Sequence, residues 1–479
     1  MRRFAKNLEV LDMTSKLVDT VYGPLPASLS RAKLQDLCDK AGVQTGPFGS
    51  QLHQEDYVLQ GTPIITVEHL GDNRLIHNNL PLVSDEDKNR LSKYQLKTGD
   101  IVFSRVGSVD RRAIVQAAED GWLFSGRCLR VRPNPELLDP HWLSYFFGLP
   151  SFKNYIRGIA VGATMPSINT KILSEVPIYF PSVEMQRKAA EALTLLDDRI
   201  SLLRETNQTL ETIAQALFKS WFVDFDIVHA KALGKLPQGV SQEIASLFPD
   251  RFSESENGML PSGWKLVPFG ELLNLTIGGD WGSDIADEKN DVRVAIIRGT
   301  DIPDLQNSSN NRVPIRYTSQ KKLATRKLQV GDILIEVSGG SKEQPTGRSL
   351  FLSQNLLDRF DCPVVPASFC RLMRPINTNI GILLSQHLKY IYATGKTWEY
   401  QNQSTGIANF QTTHFLENEL VLVPTENVLI AFTEAVEVYI NKTHAMQIET
   451  LTSLRDTLLP RLISGQISVN DAAPESLIA

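Results

Sequence analysis

The stretch LKTGDIVFSRVG at Leu96–Gly107 is answered by LQVGDILIEVSGG at Leu328–Gly340. Gly99 and Gly331, the glycines of the two Gly-Asp pairs, stand 232 positions apart (331 − 99). In each copy a Gly-Asp turn feeds a short run of apolar and β-branched residues, the pattern of a buried strand. Further pairs lie on either side in the same order. LPASLSRAKLQDL from Leu25 lines up with LPSGWKLVPFGEL from Leu260, PFGS at Pro47 with DWGS at Asp280, and PIITV at Pro63 with AIIRG at Ala295. CLRVRP at Cys128 lines up with CRLMRP at Cys370, LSYFF at Leu143 with LSQHL at Leu384, and IYFP at Ile178 with VLVP at Val421. Finally TLETIAQALF at Thr209 meets TLTSLRDTLL at Thr450. The offset drifts only from 232 to 243 (421 − 178), too long a period for a solenoid unit of about 20 to 50 residues. The chain is a duplicated domain plus helix.

Within each copy short β-rich stretches alternate with turns and a few helical runs, which predicts an α+β fold. The expected order is an N-terminal arm over 1–24, a first globular domain over 25–182, a long helix over 183–223, a linker over 224–258, a second globular domain over 259–425, a second long helix over 426–463, and a tail over 464–479. The linker is rich in turn formers and carries one short helix. In the first helix Leu193, Ile200, Asn207 and Ala214 take one heptad position and Leu196, Leu203, Leu210 and Leu217 the other, the seam of a coiled coil. Asn207 in that seam is a register-fixing device. In the second helix Leu451, Leu454 and Leu458 continue a stripe whose register breaks near His444, and Pro460 ends or kinks it. Two equivalent helices in one chain are natural antiparallel partners.

Composition narrows the function. With 479 residues, 42% hydrophobic and 22% charged, the chain is long enough for two or three cores. No apolar run approaches the ~18 to 20 residues of a membrane span, and the polar N-terminus is no signal peptide, so the chain reads as cytoplasmic. Cys38, Cys128, Cys362 and Cys370 have neither disulfide nor zinc spacing. No phosphate-binding, dinucleotide-binding, nucleophile-elbow or zinc-protease motif is present, and no catalytic or metal site is expected. Asp332 and Glu336 suggest a metal nuclease only superficially, because Ser338 stands where a lysine is needed and Ser104 replaces the glutamate in the first copy. The net charge of −5 argues against coating nucleic acid by bulk charge but allows local basic patches.

Together these pieces resemble the specificity subunit of type I restriction-modification systems. The resemblance rests on GWKLVPFGEL from Gly263, TGPFGSQL from Thr45, the two Gly-Asp strands, and GATMPSINTKILSEVPIYFPSVEMQR from Gly162 leading into the helix. NQTLETIAQALFKSWFVDFD from Asn207 and LRDTLLPRLISGQI from Leu454 complete it. It implies two target-recognition domains, each reading one half of a split asymmetric DNA site, joined by two long antiparallel coiled-coil helices acting as a ruler. It implies a non-catalytic chain that works in phage defence. Two adenine methyltransferase subunits and restriction helicase-nuclease subunits would be its partners on double-stranded DNA, and S-adenosylmethionine, ATP and Mg would belong to them. The chain departs from the pattern at Leu29, which stands opposite Trp264, and at PTENVLI, which stands opposite PSVEMQR.

Candidate DNA contacts are Arg105, Ser108, Arg111 and Arg112 in the first copy. In the second they are Lys321, Lys322, Arg326, Lys327, Ser341 and Lys342, where KKLATRK gathers four cations without an acid. The glycine-rich stretches around Phe48 and Trp281 read either as turns capped by a core aromatic or as base-reaching loops. Two rival classes are a coiled-coil scaffold that only joins proteins, and a fused methylase, which would need an Asn/Asp-Pro-Pro-Tyr/Phe motif that the chain lacks. Exchanging Leu25–Ser182 for the same region of a relative is expected to change one half of the methylated motif and leave the other. Sequencing methylated sites checks this, and a change in both halves would refute two independent readers.

Overall fold

The computed structural model of the chain describes residues 8–10, 17–49, 51–256, 258–306, 312–340, 344–404, 407–443 and 446–469. It divides into two compact units, residues 1–200 with 451–479, and residues 201–450.

In the first unit a four-stranded antiparallel sheet has the order Arg112–Ile114, Ile101–Ser104, Cys128–Pro133, Cys38–Thr45. In the second unit the order Ser349–Phe351, Ile333–Glu336, Cys370–Pro375, Leu273–Gly278 repeats it strand for strand. Each unit adds a parallel pair, Thr62–Ile65 with Leu123–Phe124 and Val292–Ile297 with Val364–Pro366. Each also has a two-stranded ribbon, Ser30–Lys33 with Pro177–Phe180 and Lys265–Pro268 with Leu420–Val423. The repeated words of the sequence are these paired strands.

The Gly-Asp words hold each sheet together in one way. Gly99 and Gly331 sit at φ +89° and +88°, where a Cβ is strained. Each lets the following aspartate fold back. Asp100 accepts from the Lys97 amide at 2.8 Å, and Asp332 from the Gln329 amide at 2.7 Å. Both carboxylates are buried, and each takes a two-pronged arginine from the neighbouring strand. Arg132 reaches Asp100 at 2.6 and 2.5 Å, and Arg374 reaches Asp332 at 2.8 Å with both nitrogens. Glu336 is likewise consumed, by Arg348 at 2.9 and 2.5 Å. Asp332 and Glu336, at the two ends of one strand, are therefore structural, each paired with an arginine at a neighbouring strand.

Aromatic residues fill both cores. Phe103 meets Phe147 edge-on at 4.7 Å under the first sheet, beside buried Trp142 and Phe152. In the second unit helix Thr378–Ala393 lays Leu383, Leu384 and Leu388 in the core beneath the equivalent sheet.

One helix of 40 residues, Val183–Phe222, contributes to both units. In the first, Leu193, Leu196 and Ile200 are buried, Leu458 packs in the same core as Leu193 and Leu196, and Asp197 pairs with Arg455 at 2.8 Å. In the second, Leu203, Leu210 and Leu217 are half-buried while Leu202 and Ile213 are exposed, a thinner seam than heptads alone suggest. Leu451 and Leu454 are also half-buried, against the first core. Within the second unit Asn207 meets Thr443 while Phe222 meets Phe432, so the helices run antiparallel there.

Two expectations change. The second helix is two helices, Glu426–Thr443 and Gln447–Ile463, and Pro460 lies inside the latter; His444, where the register was expected to break, lies outside the described residues. Asn207 bonds across the helix pair through backbone rather than a side chain: its side-chain amide donates to the Thr443 carbonyl at 3.2 Å. Residues 224–258 are no mere linker, because helices Asp226–Ala232 and Gln242–Leu247 bury Ile227, Val228 and Ala245 in the second core. Phe248 also meets Trp221 at 4.8 Å. Turn-forming residues masked that apolar content.

Asp100→Asn and Asp332→Asn are each expected to cost about 2 kcal/mol, since a two-pronged charged pair becomes a neutral contact beside a partly wet arginine. Hydrogen exchange should show lost protection in the sheet carrying the substitution and none in the other.

Candidate nucleic-acid interface

At one corner of the first unit two loops cross with their backbones in contact. A Cβ at Gly46 would fall 2.2 Å from the Ser125 carbonyl oxygen, and one at Gly126 would fall 2.4 Å from that of Pro47. Only glycine fits at either place. The crossing pushes Phe48 outward to 51% exposure. The Arg105 guanidinium lies 5.4 Å from its ring centre, fixed by the Gly126 carbonyl at 3.3 Å. A cavity of about 700 Å³ opens beside this pair, lined by Phe48, Tyr57, Glu68, Arg111 and Arg127 among others.

The second unit builds the same corner. A Cβ at Gly279 would fall 2.1 Å from the Ala367 carbonyl oxygen. The Gly279 amide donates to the Cys370 carbonyl at 3.0 Å, as Gly46 does to Cys128 at 3.3 Å. Trp281 is 42% exposed, with the Arg316 guanidinium 4.5 Å over its ring and the Arg316 Nε on its carbonyl at 2.6 Å. Beside it lies helix Gln320–Arg326, capped by the Ser319 hydroxyl. Lys321 and Lys327 are exposed and make no ion pair among the described residues. Lys322 pairs with Asp280 at 2.8 Å, and Arg326 donates to the Gly278 carbonyl at 3.0 Å.

The frames agree while their tips differ. The Arg105 amide donates to the Arg127 carbonyl at 2.8 Å, and the Val337 amide to the Phe369 carbonyl at 2.9 Å. The same backbone bond thus presents an exposed cation in one unit and Phe369, 68% exposed, in the other.

The residues named from the sequence separate accordingly. Arg105 and Arg111 come to the corner, Arg111 also bonding the Leu70 carbonyl. Ser108 is exposed in the turn after Gly107, away from the cavity lining. Arg112 corrects the expectation. It is 4% exposed, its Nε donates to the Ser144 carbonyl at 2.9 Å, and its guanidinium faces Asp72 at 3.5 Å, so it has no free edge to offer. Strand alternation sends Arg111 outward and Arg112 inward. Ser341 and Lys342 lie outside the described residues. Phe48 and Trp281 are exposed and do not cap a core. Arg127, Arg316 and Phe369 were missed, because only the crossing loops bring them to the corner. Among the described residues no cluster of three or more metal-ligating side chains occurs, and no helix is long and apolar enough to cross a membrane.

Comparison with known proteins gives a consistent result. Residues 30–212 match the family model described as the type I restriction modification DNA specificity domain. The chain is 28% identical over 462 residues to the type I restriction enzyme HindI specificity subunit of Haemophilus influenzae, covering 85% of this chain and 95% of that one. It is 24% identical over 341 residues to the MjaIX specificity subunit of Methanocaldococcus jannaschii, covering 69% of each. Its fold resembles the crystal structure of a type I restriction-modification S subunit from M. genitalium, with a TM-score of 0.53 at 15% identity, covering 94% of this chain and 98% of that one.

Arg112→Ala is expected to lower stability by on the order of 3 kcal/mol, because it strips a buried carbonyl and a carboxylate of their partner. Arg127→Ala and Lys321→Ala, both on exposed side chains, should change it by less than about 0.5 kcal/mol. Chemical unfolding distinguishes the two classes.

Proposed function

We propose that the chain is a specificity subunit of a type I restriction-modification system, and that each unit reads one half of a bipartite, asymmetric DNA target. Partner subunits then methylate or cut. The observation that carries this is the pair of matched corners. One frame, repeated bond for bond, presents Phe48, Arg105 and Arg127 in one unit and Trp281, Val337 and Phe369 in the other. A fold duplicated for stability alone has no reason to keep one corner frame while changing the residues exposed on it. Two readers of different sequence do, since each good base contact adds about 1 to 3 kcal/mol of discrimination.

The half-buried Arg111 and the exposed Arg127, Lys321 and Lys327 serve the phosphates, which position the protein, while the aromatic tips Phe48 and Trp281, the former with Arg105, reach the bases. Arg112 takes no part. The chain itself performs no chemistry. Two methyltransferase subunits and the restriction helicase-nuclease subunits supply it, with S-adenosylmethionine, ATP and Mg bound in them. The Asp–Arg and Glu–Arg pairs support this reading, because they leave the strand carboxylates of the second unit no free oxygen pair for a metal. A scaffold that only joins proteins is disfavoured by the diverged tips.

The helices act as the ruler. A heptad inserted after Leu203 with a matching one near Gln447 adds ~10 Å of helix. At ~3.4 Å per base pair the gap between half-sites is expected to grow by at most about three base pairs, with the half-site bases unchanged. Methylated-site sequencing with the partner subunits present reads this directly, and an unchanged gap at full activity would remove the ruler.

A further inference from the structure

The cavity at the corner of the first unit holds one acid among its lining residues, Glu68. Arg111 and Arg127 line the same cavity, yet among the described residues Glu68 makes no ion pair, and its carboxylate accepts only from the Thr66 hydroxyl, at 3.0 Å. The second unit disposes of its acids differently. Asp280 is tied to Lys322 and Thr318, each at 2.8 Å, and Asp284 to Arg316. Glu68 is also held in place. It sits in the turn Val67–His69, where the Thr66 amide donates to the buried His69 ring at 3.0 Å, and the Leu70 carbonyl beyond takes Arg111.

A carboxylate on a DNA-facing surface is repelled by phosphates and by the acceptor edges of guanine and thymine. In the major groove its favourable partners are exocyclic amines, N4 of cytosine or N6 of adenine. We propose that Glu68 is a base-selecting residue. Its carboxylate accepts a hydrogen bond from the exocyclic amine of one cytosine or adenine in the half-site read by the first unit, while Phe48 and Arg127 bracket the strand. This rests on the DNA reading given above and adds a chemical demand to it: that half-site contains an amine-bearing base which Glu68 selects.

The test uses the full chain with its methyltransferase subunits, measuring methylated-site sequences and binding competition between duplexes that differ at single base pairs. Glu68→Ala is expected to relax one position of the first unit's half-site, cutting discrimination there roughly tenfold, with the other half and the thermal stability unchanged. Arg127→Ala is run beside it and is expected to weaken binding to all sequences alike and to lower the salt dependence. If Arg127→Ala weakens binding while Glu68→Ala leaves every base preference intact, the selecting role is wrong and the DNA reading stands. If neither variant affects binding, the corner does not touch DNA, and both fall.

Discussion

Everything in this chain hangs on a buried aspartate gripped by an arginine from the next strand. Asp100 with Arg132, and Asp332 with Arg374, fix a turn and a strand pair in one contact. A charge buried without such a partner would cost several kcal/mol, so the carboxylate forces the arginine strand into one register. The glycine before each aspartate supplies the left-handed backbone that brings the carboxylate round to its own turn. The central strands are thereby locked edge to edge. The loops leaving their far ends can then carry residues chosen for something other than stability.

That division of labour explains why the two units match so well inside and so poorly at their corners. The crossing loops need glycine because their backbones touch, and this holds at Gly46 and Gly126 as it does at Gly279. The residues beside them are under no such constraint. Phe48 and Trp281 each lie under a guanidinium, but Arg105 comes from the end of a strand and Arg316 from a different strand of a different sheet. The same stacking arrangement has been reached by two routes, as expected where an exposed aromatic face and a fixed cation matter more than the residue that supplies them.

Much of this was legible in the sequence. The Gly-Asp repeat, the paired strands and the long first helix follow from periodicity and self-similarity, and all are present. What escaped depends on partners distant in the chain. Arg132 looks like any strand arginine until Asp100 is placed beside it, 32 residues away. Arg112 looks like half of a basic doublet until Asp72 and the Ser144 carbonyl take it inward. Arg316 gives no sign of its tryptophan, because a loop of the second unit carries Trp281 across to it. The stretch 224–258 misled in the other direction, since its glycines, prolines and serines speak more loudly than the few apolar residues that decide its fate.

That packed stretch bears on how such chains can be recombined in evolution. Phe225 meets Phe252 and Trp264, and Phe248 meets Trp221 and Trp264, so the segment is stitched to the helix before it and to the domain after it. A genetic crossover falling inside it would join aromatic halves that had never been selected together. The exchangeable module therefore begins upstream, inside the helix, where Leu202 and Ile213 are exposed and the seam is thin. New pairings of readers arise most cheaply at junctions there, so a family of such chains should diversify in blocks that each carry their own stitched segment.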